Sequence, residues 1–116
     1  MTPLPLLSST VLDNLAAAVV VFDADLRALY INQMAEMLLA VSAKHALGQR
    51  PTSWMVCHGD SLVDLLRAAE VGSPITKRGV VLNNERSEVT VDCAVTPVID
   101  EKGRQLTIVE LQQIDR

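Results

Sequence analysis

The chain has 116 residues, a formal net charge of -4 and 49% hydrophobic residues. That length suits one domain, which buries roughly two-thirds of its unfolded surface and needs no staple to hold a core. The acidic balance, without any Lys/Arg run, argues against a phosphate-neutralising surface for DNA or RNA; three aromatics, Phe22, Tyr30 and Trp54, are too few for a base-stacking platform.

Residues 1–9 read as a lead-in. They are apolar but carry Pro3 and Pro5 and lack a basic n-region, so they do not read as a signal peptide. No run approaches the roughly 20 apolar residues that span a bilayer. Cys57 and Cys93 show no framework spacing, and reduced thiols in a cytoplasmic setting are the simple expectation. Residues 10–116 are expected to form a single domain.

Thr10 is a good N-cap, and Val11, Leu12, Leu15 and Ala18 follow at helical spacing, which predicts a short amphipathic helix over about 10–17. Val19-Val20-Val21-Phe22 then reads as a strand buried on both faces. Asp23-Ala24-Asp25 is a turn, and Arg27 to Ile31 is a second strand paired with the first. Asn32 ends it and caps a helix over Gln33 to Val41, with Ala35, Leu38 and Leu39 on one apolar stripe. Ser42 caps a short turn that Gly48 ends. Pro51 to Met55 reads as an irregular connection or one helical turn.

A further helix opens near His58, with Leu62, Leu65, Leu66 and Ala69 sharing a face, and Gly72-Ser73-Pro74 stops it. From Ile75 the period becomes two. Val80 to Leu82 is one strand and Asn83 to Arg86 its turn. Glu88 to Val98 is the clearest strand, because Val89, Val91, Cys93 and Val95 alternate with Thr90, Asp92, Ala94 and Thr96. Asp100-Glu101-Lys102-Gly103 makes a hairpin loop, and Leu106 to Leu111 is the last strand, apolar on parts of both faces. Neither group of strands is stable alone, so the order predicts an α+β fold with one five-stranded antiparallel sheet.

This order, with Val21-Phe22-Asp23-Ala24-Asp25-Leu26-Arg27, then Tyr30-Ile31-Asn32-Gln33-Met34-Ala35-Glu36-Met37-Leu38-Leu39, then Leu47-Gly48, resembles the PAS fold across nearly all of residues 10–112. The resemblance implies a five-stranded antiparallel sheet with short helices on one face and an N-terminal amphipathic helix. Within that family, Val11 to Leu15, Val19 to Asp23 and Asn32 to Ser42 look like the N-terminal PAS domain of nitrogen-regulation (NtrB-type) sensor histidine kinases. That likeness implies a cytoplasmic two-component kinase as parent, with a response regulator and a PII-type protein as its partners. Neither a phosphoacceptor His context nor an ATP-lid motif is present, so the piece reads as an excised input domain, not itself an enzyme.

No nucleophile–base constellation is visible, and no catalytic residue, metal ligand or cofactor is expected. Cys57 lacks the Asn and Arg neighbours of the flavin-binding sensors of this fold, and His58 and His45 read as capping or surface residues rather than haem ligands. Four Cys ligands for an iron–sulfur cluster are not available, and the Cys/His spacings match no zinc pattern. Trp54 reads as a packing anchor. Asn32 is the expected structural helix cap. Leu7, Val11, Leu12, Leu15 and Ile108 form the candidate dimer surface, since a two-faced apolar strand and an apolar first helix want cover. The alternative is a small-molecule or cofactor-binding PAS sensor of another signalling protein or transcription regulator.

Overall fold

β-Branched runs and Asp-led turns set out the strands. In the computed structural model, which describes residues 17–51, 56–57, 66–69, 72–83 and 88–114, six strands follow one another. They are β1 (Ala18–Phe22), β2 (Ala28–Ile31), β3 (Val56–Cys57), β4 (Ile75–Asn83), β5 (Glu88–Ile99) and β6 (Gln105–Gln113). Two helices, α1 (Gln33–Leu39) and α2 (Ala43–Ala46), lie between β2 and β3. The sheet order is β2-β1-β6-β5-β4-β3, antiparallel throughout. The five longer strands make the expected sheet, and the two-residue β3 is added at the free edge of β4.

β1 lies between β2 and β6, and Ala18, Val19, Val20 and Phe22 are all buried. Val21 is half-buried, so the cover expected on both faces is complete on the core side and partial on the side that carries Ile108. β5 alternates as its sequence does, with Val91, Cys93 and Val95 buried and Thr96 exposed. These residues meet Val20, Phe22, Val109 and Leu111 on one face of the sheet. Ala35, Leu39, Ala46, Leu66 and Ala69 join them from the helical side in one core.

α1 starts at Asn32 and stops two residues before the expected end. Ala40 takes a left-handed conformation, with φ 53°, and the N–H groups of Ala40 and Val41 both donate to the Glu36 carbonyl. The Glu36 side chain reaches forward and accepts from the Ala43 N–H at 2.8 Å. That bond ties α1 to α2, whose first turn is capped by Ser42 Oγ accepting from the His45 N–H. The stop has no local signal, since alanine is the best helix former.

β4 begins five residues earlier than the expected Val80. Lys77 pairs with Cys93 and Val80 with Val91, so Arg78 and Gly79 together oppose Asp92. This bulge resets the period and hides the first half of the strand from an alternation test. Gly79 sits at φ 70°, and its N–H donates to Asp92 Oδ1 at 3.2 Å. A residue with a Cβ would have to hold this left-handed backbone conformation at a cost of about 1–2 kcal/mol. Gly79→Ala is therefore expected to lower the stability by that energy, read as a lower urea midpoint with an unchanged slope; a midpoint equal to wild type would mean the bulge is not held as described.

β3 falls between the connection expected over Pro51 to Met55 and the helix expected from His58, where no element is expected. Val56 pairs with Asn83 and Cys57 with Leu82. A two-residue strand carries no periodicity, so only its partner makes it one. The expected N-terminal helix, with Leu7, Val11, Leu12 and Leu15, lies outside the described residues, as do His58, Trp54 and residues 84–86 of the turn expected over Asn83 to Arg86, while Asn83 itself ends β4. Of the helix expected after His58, residues 66–68 are described and helical, with Leu66 buried. Among the described residues no helix is long and apolar enough to cross a membrane.

Candidate functional site

The β1–β2 and β5–β6 hairpin turns lie side by side at one end of the sheet and have the same construction. In the first, Asp23 Oδ1 accepts from the N–H groups of Asp25 and Arg27, both at 2.9 Å. In the second, Asp100 Oδ1 accepts from Lys102 at 2.9 Å and from Arg104 at 2.8 Å. In both, the fourth residue donates to the Asp carbonyl and takes a left-handed conformation. At Asp100 the backbone N–H of Arg104, followed by its guanidinium and the Lys102 N–H, holds the carboxyl below the usual carboxylate value against an opposing desolvation effect. The Arg104 Nε contact to Asp100 Oδ2 is 2.8 Å.

The difference between the loops is the fourth residue. The second has Gly103 at φ 78°, which costs glycine little; the first has Leu26 at φ 62°. A bulky residue there is strained by about 1–2 kcal/mol. Leu26 is half-buried and packs against the core, which offsets the strain.

Beneath this strained hairpin lies a cleft of about 460 Å3, bounded by Asp23 to Leu26, Arg50 and Pro51, Leu66, Arg67 and Ala69, and by Gln105 and Thr107 of β6. Arg50 Nε donates to the Asp25 carbonyl at 3.1 Å, which holds its side chain at the rim. Arg27 Nη1 donates to the Gly48 carbonyl at 3.0 Å and fixes the segment that docks on β2. Thr107 pairs with Phe22 in β1 and Pro97 in β5, so its side chain is on the core face. Thr107 is 4% exposed, and its hydroxyl has no hydrogen-bond partner among the described residues. Leaving such a group unpaired costs about 1–3 kcal/mol. Nothing in the sequence distinguishes this Thr from any other on a strand.

Asn32 is the other buried polar residue among those described, at 0% exposure. Its Oδ1 accepts from the Ala35 N–H, capping α1, and from the Val19 N–H, each at 2.9 Å. Its Nδ2 donates to the Ala17 carbonyl at 2.9 Å, and its own N–H donates to the Val19 carbonyl. One side chain thus joins the start of α1 to the start of β1. Its amide is engaged with the backbone, so Asn32 cross-links the two elements.

Ile108 lies on the opposite face of β6 from Thr107. Its register places it beside Val21 of β1, which in turn pairs with Tyr30 of β2. Leu106 pairs with Val98 next to this row. All five side chains are half-buried, which makes an apolar strip across four strands. The structure places Leu111 with Val109 on the core face, not with Leu106 and Ile108. Cys93 is a buried thiol in the core and His45 is exposed. Among the described residues no three His, Cys, Asp or Glu side chains converge.

The sequence pattern described as the PAS fold matches residues 12–114. The chain is similar to the PAS domain of nitrogen regulation protein NR(II) from Vibrio parahaemolyticus, with 25% identity and a TM-score of 0.69 over 97% of this chain and 100% of that one. It is also similar in fold to the PAS domain of an HTR-like protein from Haloarcula marismortui, with 16% identity and a TM-score of 0.75 over 91% of this chain and 88% of that one. A PAS domain from a two-component sensor histidine kinase matches with 12% identity and a TM-score of 0.69, covering 93% and 94% of the two chains. No protein in the curated set matches significantly.

Proposed function

The chain belongs to the PAS fold family, and from that premise we propose that residues 10–116 are the input domain of a cytoplasmic nitrogen-regulation histidine kinase of the NtrB type. A PAS domain by itself is a non-catalytic sensory module of signalling proteins, histidine kinases among them. The observation that carries the finer reading is the likeness to the Vibrio parahaemolyticus nitrogen-regulation domain along nearly the whole of both chains.

On this reading the domain holds two kinase protomers in register and passes a packing change into the chain beyond Arg116. Its output is a bias between two arrangements, not chemistry. The response regulator and a PII-type protein are partners of the parent kinase. The dimer surface combines Ile108 and its apolar neighbours on the outer sheet face with Leu7, Val11, Leu12 and Leu15. An apolar strip bordered by the exposed Glu110 and Thr96 suits a self-complementary contact.

Light scattering at micromolar concentration is expected to report a dimer, and Ile108→Glu a monomer with an unchanged far-UV spectrum. A wild-type monomer would overturn the dimer. The kinase assignment has its own test in the downstream reading frame. A phosphoacceptor helix and an ATP-binding domain are expected there; a DNA-binding or cyclic-nucleotide domain would overturn that assignment and leave the family standing.

A further inference from the structure

Thr107, Arg67 and Arg50 meet at the cleft under the β1–β2 hairpin. Of the two buried polar residues among those described, Asn32 is consumed by the backbone and Thr107 is not. A buried hydroxyl with no partner among the described residues calls for an occupant of the cleft that supplies one. The cleft, at about 460 Å3, is within the range of small-molecule sites.

The chemistry of that occupant follows from what surrounds the hydroxyl. Among the described residues the exposed Arg67 has no hydrogen-bond or ion-pair partner, and Arg50 makes one such bond, from Nε to the Asp25 carbonyl. Guanidinium groups present paired donors that match a planar or tetrahedral oxyanion. A hydroxyl can donate to the same group. On the acidic side, Asp23 has one carboxylate oxygen engaged by two backbone N–H groups, and Asp25 is exposed at the rim. These two carboxylates disfavour a polyanion, so the fit is to a molecule with a single oxyanion group.

We propose that this cleft binds a small organic molecule bearing one oxyanion group, a carboxylate or a phosphate, held between Arg50 and Arg67 and hydrogen-bonded by the Thr107 hydroxyl. The strained Leu26 forms part of the wall, and strain of this kind collects at ligand clamps. Thr107 and Ile108 are successive residues on opposite faces of β6, so occupancy of the cleft acts on the strand that carries the outer apolar strip.

The test is an NMR titration of the 116-residue chain with sodium acetate, sodium lactate and inorganic phosphate, each against sodium chloride at equal ionic strength. Saturable shifts confined to the amides around Leu26, Arg67 and Gln105 to Thr107 are expected. Acetate or lactate acting alone identifies a carboxylate, and phosphate acting alone identifies a phosphate. Half-saturation is expected to rise about tenfold in Arg67→Ala and in Thr107→Val, the loss of one charge-assisted hydrogen bond. Arg67→Ala removes an exposed side chain and leaves the fold intact, so a loss of folding in Thr107→Val does not remove the test. Shifts equal to those with chloride, no saturation into tens of millimolar, or unchanged half-saturation in Arg67→Ala would each overturn the proposal. The same titration on monomeric Ile108→Glu is expected to match wild type, so failure of the dimer and failure of the ligand site are read separately.

Discussion

Asn32→Ala is expected to lower the thermal midpoint by about 10–20 °C, corresponding to a loss of about 3 kcal/mol. Removing a helix cap alone costs about 1 kcal/mol. The larger figure arises because the same side chain serves β1. Without it the Val19 N–H and the Ala17 carbonyl lose their partner at a site with 0% exposure for Asn32. A buried group left unpaired costs about 1–3 kcal/mol, more than the net worth of the bond itself. Asn32→Ser separates the two roles. Serine reaches the Ala35 N–H as a cap but is too short to span to Val19 and Ala17. Its loss is therefore expected to fall between alanine and wild type, by calorimetry or thermal circular dichroism. An alanine variant within about 1 kcal/mol of wild type would show that Asn32 is only a cap.

Phe22→Ala is expected to cost about 3–5 kcal/mol, the usual loss for emptying a buried aromatic position. Phe22 is fully buried at the end of β1, an interior strand of the sheet, and it heads the order of large, fully buried side chains by volume. Its neighbours are held by the sheet register, with Thr107 beside it on β6 and Ala28 on β2, so the backbone has little freedom to close the void. Against a total stability of about 5–15 kcal/mol, this loss leaves a marginal fold. Urea unfolding is the suitable measurement, with a lower midpoint and an unchanged slope. A loss below about 1.5 kcal/mol, the range of volume-conserving swaps, would mean the core repacks around the site.

Both substitutions act at β1, and so do both faces of the functional reading. β1 pairs with β6, and β6 carries Thr107 toward the cleft and Ile108 toward the outer strip. The PAS fold hosts many signals, and fold alone names none of them. What particularises this chain is the placement of two guanidiniums and a buried hydroxyl, without a hydrogen-bond partner among the described residues, at the hairpin end of that strand, and an apolar strip on its back.

The amino-acid sequence by itself determined the features that arise within a few residues. The apolar run at β1, the strict alternation of β5, the Asp-led turns and the helix formers after Asn32 are local patterns. Each limits the backbone before any distant contact forms. The PAS likeness was legible for the same reason, since it rests on such local runs in a fixed order. The tertiary structure alone decided what needs a distant partner. Val56–Cys57 is a strand only because β4 offers an edge, and β4 starts at Ile75 only because a bulge against Asp92 restores its register. α1 stops at Leu39 because Glu36 turns toward Ala43, thirteen residues of separation join Asn32 to Val19, and eighty-one join Leu26 to Thr107 at one cleft. Hydrogen-bond partners and cavities of this kind belong to pairs of segments, and no single segment carries their signal.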